Sequence, residues 1–456
     1  MDVDGFLESL RRDPGYRDQI VHVQAEPARE PSWAPVPEGL HPAVGHFLSA
    51  LGIGRLYRHQ AEAIEAALRG DDVLITTGPA SGKSLCFQVP ILQRFLEEPE
   101  TTALFVFPMK ALARDQVAAW NRGVAAMRDA VDPRLVEAMP FDADASAADR
   151  RTARDRARLI VTNPEMLHCN LLPGHPRWQR LFNGLRYVVL DELHVYAGFF
   201  GANMANVLRR LERVCEHYGA RPQFICSSAT VGNPREMAER VVGRPLRHVS
   251  EDASAAGSRT YVFWNPPRIR QRKWRGRRSA NVEAQELMVR LIRGRAPTIC
   301  FAKSRTTAEM MYRYVREGLG QEAPALADKV VPYRGGYSPK QRREMERRLR
   351  EGELLGVCAT RALELGIDVG ALDACIVIGY PGWLHALFQQ WGRAGRAGRD
   401  CLCILVGIGV SFEPLDLFVE LPHPVGLELE QHEFLLLHVL EQLVAQLDIL
   451  VPQPPV

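Results

Sequence analysis

A chain of 456 residues exceeds the roughly 250–300 at which a single core stops growing, so two domains are expected. Its 46% hydrophobic and 24% charged residues are ordinary for a soluble globular protein. A formal net charge of +3 excludes nucleic-acid binding through bulk charge, so any such role must rest on local charge.

In chain order, Pro27, Pro31, Pro35, Pro37 and Pro42 predict an irregular leader, set at residues 1–45. The N-terminal MDVDGFLESLRRDPG is too acidic and polar for a signal peptide, and no window reaches the ~18 unbroken apolar residues of a membrane helix. A cytoplasmic location without membrane contact is expected. Short apolar runs rich in Val, Ile and Phe then recur at 73–76, 103–107, 159–161, 187–190 and 223–226. Such runs suit strands buried on both faces of a parallel sheet, and their alternation with helical segments predicts an α/β domain over 46–250. The pattern lapses at 243–282, where 268–278 (RIRQRKWRGRR) holds seven Lys/Arg in eleven residues, and a basic linker is expected at 251–282. Runs at 298–302, 330–333, 356–359, 375–379 and 401–406 predict a second α/β domain over 283–412. The remainder, 413–456, reads as an apolar tail with a helical stripe of Leu435, Leu436, Val439, Leu440, Leu443 and Leu447 that packs on domain two or serves a partner.

The nine cysteines lie mostly inside apolar runs, where a free thiol acts as a small core residue. Cys401 and Cys403 stand at strand spacing, not the CxxC spacing of a zinc knuckle, so no cysteine–metal site is expected.

The segment 73–84, VLITTGPASGKS, passes from strand to glycine-containing loop to helix start. Backbone N–H groups of such a loop and of the helix N-terminus point at phosphates, so Thr77, Gly78, Pro79, Ala80, Ser81, Gly82, Lys83 and Ser84 form the expected ATP cradle. Gly82 permits close backbone approach, Lys83 reaches the outer phosphates, and Ser84 offers its hydroxyl to Mg2+. Thr77 departs from the strict pattern, which has glycine there. GKS alone also occurs in ordinary surface turns; the strand-loop-helix setting separates the two. At 187–194, YVVLDELH ends an apolar run in two carboxylates. Asp191 is expected to hold the Mg2+ shell, and Glu192 to orient and deprotonate the attacking water. Alone, such a pair is as easily a solvated strand end; the phosphate loop tips the balance.

Further segments follow in a telling order: LYRHQ at 56–60, PMKALARDQ at 108–116, TNPEMLH at 162–168 and SAT at 228–230. FAKSR at 301–305, ATRALELGID at 359–368 and QQWGRAGRAGR at 389–399 complete the set. Together they resemble the DExH-box helicases of superfamily 2. DELHVYAGFFGANMANVLRRL, YRGGYSPKQRREMERRL and GYPG ahead of QQWGRAGR resemble in particular the bacterial mitomycin-repair helicases and the fungal RecQ-four-like helicases. The resemblance spans about residues 50 to 410. It implies two tandem RecA-like domains with mainly parallel sheets and an ATP site in the cleft between them. Gln60 would then pair with the adenine edge, Tyr57 or Arg58 would stack on the base, and Gly366 and Asp368 would lie near the ribose. Lys110, Thr162, Pro164, Ser304 and Thr360 would grip a phosphate backbone, Thr230 would link ATP state to that grip, and Arg393 and Arg396, with Gln389, would complete catalysis as arginine fingers. Trp391 stands where a small residue is expected.

At 333–341, YRGGYSPKQ reads as strand, glycine turn and helix start, with Ser338 and Gln341 as a capping box and Pro339 at the first helical position. A nucleic-acid contact is expected at Arg334 and Gly335, and the later arginines of that helix read as a solvated face. The run 268–278, with Trp274, either clamps a strand or is simply solvated. The implied function is an ATP-dependent DNA helicase or translocase, 3′→5′ on single-stranded DNA, in DNA repair. An RNA helicase, or an ATP-gated nucleic-acid clamp without unwinding, are the alternatives. The clamp gains from one departure: the resembling family continues past this point into a cysteine-bearing region that this sequence does not contain. Protein partners are not legible.

Overall fold

Helix Val3–Arg11 and strand β1 (Ile20–Glu26) open the chain, the helix capped by Asp2, whose carboxylate accepts the Gly5 N–H at 2.9 Å. This computed structural model describes residues 1–408 apart from 230–232, 272–273, 321–322, 364–369, 371 and 383. Thr230, Gly366, Asp368 and the tail at 413–456 therefore lie outside the described residues. The chain divides into two units: Pro31–Ser254, and Met1–Glu30 together with the segment beginning at Ala255.

Within Pro31–Ser254, β2 (Trp33–Ala34) and β3 (Leu56–Tyr57) form a short antiparallel ribbon. Seven further strands follow: β4 (Val73–Ile75), β5 (Thr102–Val106), β6 (Ala138–Pro140), β7 (Leu159–Thr162), β8 (Leu185–Leu190), β9 (Gln223–Ser227) and β10 (Arg247–Val249). They make one sheet in the order β10-β4-β9-β8-β5-β7-β6, every pair parallel. Side chains alternate between its faces. Val73 and Ile75 enter a core shared with helices Arg58–Arg69, Lys83–Glu97 and Lys110–Ala125, while Leu74 enters another, shared with Gly198–His217 and Pro234–Val242. Two covered faces are why these strands read as unbroken apolar runs.

The second unit holds β11 (Arg259–Trp264), β12 (Arg268–Gln271), β13 (Trp274–Arg277), β14 (Thr298–Phe301), β15 (Val330–Tyr333), β16 (Gly356–Ala359), β17 (Ala374–Ile378) and β18 (Cys401–Val406). Its sheet runs β1-β11-β18-β17-β14-β16-β15, parallel except for β1, which lies antiparallel on β11. Here too alternate residues separate two cores: Ile299 and Phe301 on one face, Cys300 on the other. No helix among the described residues is long and apolar enough to cross a membrane.

Two expectations need correction. The leader at 1–45 is not irregular: Leu7 and Leu10 pack into a core of the second unit, β1 extends that unit's sheet, and helix Pro42–Ala50 belongs to the first. The prolines do break elements, but they lie between paired segments; Pro42 sits at a helix start, where no N–H is needed. Nor is 251–282 merely a linker. Its TYVFW core is the buried inner strand β11, flanked by β1 and β18, and its basic run folds back as the antiparallel hairpin β12–β13. The flanking Gly, Ser and Pro residues hid a short strand whose partners lie far away in sequence.

Trp391 fills a core position. It is 1% exposed, with ring centroids 4.9 Å from Tyr261 and 5.7 Å from Phe388. Trp391→Ala is expected to destabilise the protein by about 3–5 kcal/mol, the usual cost of removing so large a core side chain. Urea denaturation measures it; a loss below about 1 kcal/mol would show that the neighbours close the gap.

Candidate functional site

Because neighbouring strands of the first sheet are parallel, their carboxyl ends share one edge, the place where open α/β sheets present ligand chemistry. In register, Ile75 lies opposite Ser227, Cys226 opposite Leu190, Leu190 opposite Val106, and Val106 opposite Thr162. The segments leaving those ends are the phosphate loop, Ser228, Asp191–Glu192, Lys110 and Pro164. Topology alone gathers residues dispersed over more than 150 positions.

The phosphate loop ends at helix Lys83–Glu97, whose N-cap is Gly82 at φ +78°. A Cβ there would lie 2.3 Å from Gln60 Nε2, so glycine is required by both backbone and neighbour. Ala80 also has a left-handed φ, +61°. Thr77, in the place of the pattern's glycine, has its own use: its hydroxyl meets that of Ser81 at 2.6 Å, bracing the loop from inside. Lys83 Nζ donates to the Thr77 and Gly78 carbonyls at 2.9 and 2.8 Å. A phosphate oxygen competes with neutral acceptors for that ammonium, and a charged acceptor makes the stronger bond. Gln88 donates to Gln116 at 3.2 Å, and Gln116 Nε2 donates to Ser84 Oγ at 3.0 Å. Ser84 keeps its proton and a lone pair for a ligand. Gln116 closed a quoted segment but had been given no role.

Asp191 is 8% exposed, and the Ser227 hydroxyl donates to its Oδ1. Burial pushes its carboxyl pKa up, against the Ser227 bond, the Glu192 backbone and the Lys83 charge. A divalent cation beside it reverses that balance. Ser84 and Asp191 are hard oxygen donors of the kind Mg2+ takes alongside phosphates and water. Among the described residues no cluster of three His, Cys, Asp or Glu forms an all-protein metal cage. Glu192 has φ +52°, a left-handed conformation uncommon for a residue with a side chain. His194 Nδ1 accepts the Ala229 N–H at 3.2 Å, tying the carboxylate segment to the residue before Thr230. Glu192 Oε2 lies 3.5 Å from the same nitrogen. The serine that reaches Asp191 is thus Ser227, one residue before the quoted SAT; the buried Ser228 hydroxyl has no hydrogen-bond partner among the described residues.

A cavity of about 610 Å³ opens beside the loop, lined among others by Trp33, Arg55, Tyr57, Gln60, Gly82 and Ser84. Trp33 stacks on Tyr57 (4.7 Å, 16°), Tyr57 lies parallel to His59 (5.7 Å, 14°), and the Arg55 guanidinium sits 4.9 Å from the Trp33 ring. Gln60, expected at an adenine edge, holds the loop: Oε1 accepts the Tyr57 N–H at 2.9 Å and Nε2 donates to the Gly82 carbonyl at 3.1 Å. Arg58, the alternative stacking residue, is paired with Glu251. Trp33 and Arg55 escaped sequence reasoning, since nothing local marks either one.

The expected nucleic-acid contacts divide. In the first unit Lys110 pairs with Asp144 at 3.2 Å, and Pro164 opens the short helix Pro164–Met166. Thr162 is buried and its hydroxyl donates to the Phe141 carbonyl at 2.7 Å, so its side chain is not a phosphate contact. In the second unit Phe301 and Tyr333 both register with Ala359, so Ser304, Arg334–Gly335 and Thr360 leave one edge. Ser304 accepts the Thr307 N–H at 3.0 Å, and the Thr360 N–H reaches Tyr333 at 3.1 Å. Arg334 donates to Glu309 at 2.6 Å and lies 4.9 Å from the Tyr337 ring. A Cβ on Gly335 would meet the Arg305 guanidinium at 3.2 Å, which adds Arg305 to the group. The capping box of Ser338 and Gln341 is present. Gln389, within helix Leu384–Trp391, is 8% exposed; beyond the helix Arg393 is 5% exposed, and Arg396 is half-buried at the start of a 3-10 turn.

Residues 57–238 match the family model for the DEAD/DEAH box helicase, and residues 283–398 that for the helicase conserved C-terminal domain. The uncharacterized ATP-dependent helicase YprA of Bacillus subtilis is 40% identical over 418 residues, covering 92% of this chain and 54% of that protein. ATP-dependent helicase hrq1 of Schizosaccharomyces pombe is 36% identical over 430 residues, covering 93% and 40%. The crystal structure of the DUF1998 helicase MrfA bound to DNA and AMPPNP superposes with a TM-score of 0.83 at 39% identity, covering 92% of this chain and 56% of that one. The chain spans about half the length of the curated relatives it matches. With both helicase domains in series on two mainly parallel RecA-like sheets, this chain belongs to helicase superfamily 2.

Proposed function

We propose that the chain is a nucleic-acid-stimulated ATPase that drives translocation on DNA or its unwinding. The observation that carries this is the convergence of Lys83, Ser84, Asp191 and Glu192 on one sheet edge, beside the cavity lined by Trp33, Tyr57 and Gln60. The base lies in that cavity against the aromatic stack, and residues 77–84 cradle the triphosphate. Lys83 exchanges the Thr77 and Gly78 carbonyls for phosphate oxygens. Ser84 and Asp191 would hold Mg2+, which would neutralise developing phosphate charge. Glu192 orients the attacking water and takes its proton. Gln389, Arg393 and Arg396 supply the remaining charge stabilisation, and Gly366 and Asp368 attend the ribose. Lys110, Pro164, Ser304, Arg334, Gly335 and Thr360 hold the phosphate backbone, while Thr162 only braces its strand end.

DNA is favoured over RNA by the DNA in the MrfA structure, a relative at 39% identity. Movement 3′→5′ and a role in repair are proposed from the family resemblance. ATPase stimulation by single-stranded DNA and by RNA of equal length tests the reading, with strand displacement measured on a forked duplex beside it. DNA is expected to stimulate more, and affinity to fall steeply with salt because the grip is on phosphates; equal stimulation by RNA would remove the DNA assignment.

Lys83→Ala is expected to abolish turnover. Glu192→Gln should lower kcat by about 10²–10⁴, the usual worth of a general base, and still bind ATP; normal hydrolysis by that variant would place the base elsewhere. Arg396→Ala should hold ATP affinity within severalfold and lose about 10³ or more in rate, as other arginine fingers do. An unchanged single-turnover rate would remove Arg396 from the catalytic set.

A further inference from the structure

The chain passes between its two units twice, at Glu30–Pro31 and at Ser254–Ala255. Around these passages the backbone pairs with itself: Arg29 and Ala256 exchange two hydrogen bonds at 2.8 and 3.0 Å, and the Ser32 N–H donates to the Ala253 carbonyl at 2.9 Å. The stretch just before the second passage is spent on the nucleotide site. Glu251 pairs with Arg58. The Ala253 N–H donates to His59 Nδ1 at 3.2 Å, and His59 Nε2 in turn lies 3.1 Å from the Ser81 carbonyl, as its proton-bearing nitrogen. Asp252 enters the phosphate loop itself, where its Oδ2 accepts the Gly78 N–H at 2.9 Å. Its Oδ1 accepts the Ser254 N–H at 2.9 Å and the Ser254 hydroxyl at 2.7 Å.

The approach is close enough to dictate sequence. A Cβ on Gly78 would lie 2.8 Å from Asp252 Oδ2, so the carboxylate accounts for that glycine. The Thr77 and Gly78 carbonyls that hold Lys83 belong to the residue whose N–H Asp252 takes and to the one before it. A negative charge beside a loop that cradles phosphate opposes binding through space. Its presence calls for an offsetting role, and orienting the loop supplies one.

We propose that Asp252 is a positioning residue for ATP binding: its carboxylate fixes the Gly78 end of the phosphate loop and ties it to the connector between the units. The loop is thereby held in the shape that presents Lys83 and the following N–H groups to the triphosphate, and a change in that shape is passed to backbone already paired with Ser32. This rests on residues 77–84 being the ATP site.

The test is titration of the full chain with a fluorescent ATP analogue, with steady-state ATPase beside it. Asp252→Ala is expected to raise the nucleotide Kd and KM about tenfold, the scale of one charge-assisted hydrogen bond, with kcat within about threefold. Asp252→Asn keeps an oxygen for the Gly78 N–H, the contact proposed to matter, while giving up the acceptor for the Ser254 N–H, and should return affinity to within about threefold. Ser254→Ala removes the other side of the carboxylate's network and should stay within about twofold of wild type. Gly78→Ala should weaken binding as Asp252→Ala does, and the double variant should be no weaker than the worse single, since both act at one contact. Wild-type affinity in Asp252→Ala, equal losses in Asp252→Ala and Ser254→Ala, or additive losses in the double variant overturn the proposal. Wild-type protein that binds no nucleotide overturns the ATP-site reading beneath it.

Discussion

The nucleotide edge depends on a missing side chain. At Gly82 the chain turns from loop to helix with a positive φ, and the space a Cβ would occupy is taken by the Gln60 amide. That amide bonds both to the Gly82 carbonyl and to the N-terminus of its own helix, so the cavity wall at Tyr57 and the loop at Gly82 are one hydrogen-bonded piece. Lys83 and Ser84 follow immediately, their placement inherited from that turn. Any residue larger than glycine there would strain the backbone and expel Gln60 together, which couples two apparently separate sequence elements through a single atom's volume.

Desolvation organises the carboxylate side. Asp191 sits at the end of a strand buried on both faces, and burial raises its pKa despite the Ser227 hydroxyl. A buried carboxylate without a cation is expensive, and the same environment makes it a strong partner for one. Ser227 contributes from the neighbouring strand, and His194 returns the connection through Ala229. Two adjacent strand ends are thereby bonded to one another through side chains as well as through their ladder.

The strand-loop-helix turn at 73–84, the carboxylates at a strand end and most strands of both sheets were legible because each is written locally: glycine before lysine and serine, acidic residues after an apolar run, strands buried on both faces. What escaped depends on distant pairing. Trp33 lies in a proline-rich stretch and gains its place only by pairing with Tyr57, its partner across the β2–β3 ribbon. β11 was taken for linker because four apolar residues, Tyr261 to Trp264, between turn formers define no partner, yet β1 and β18 supply one on each side. Thr162 fitted its motif but faces inward, since one residue of register decides whether a strand's last side chain meets solvent or core. Ser227 stands one residue before the quoted SAT segment, and no local pattern marks it as the partner of Asp191.

Charge sets what the phosphate-loop edge still lacks. At the first sheet's edge the phosphate loop brings the single ammonium of Lys83, and near it stand the carboxylates of Asp191, Glu192 and Asp252. A triphosphate adds several negative charges. Their mutual repulsion at a few ångströms in a partly desolvated site outweighs one lysine, so tight binding calls for a divalent cation and fast hydrolysis for guanidinium groups besides. Asp252 increases that deficit while shaping the loop. Carboxylates built into the loop's surroundings make tight triphosphate binding depend on added cations, because each anion close to the phosphates raises the repulsion that a cation must offset.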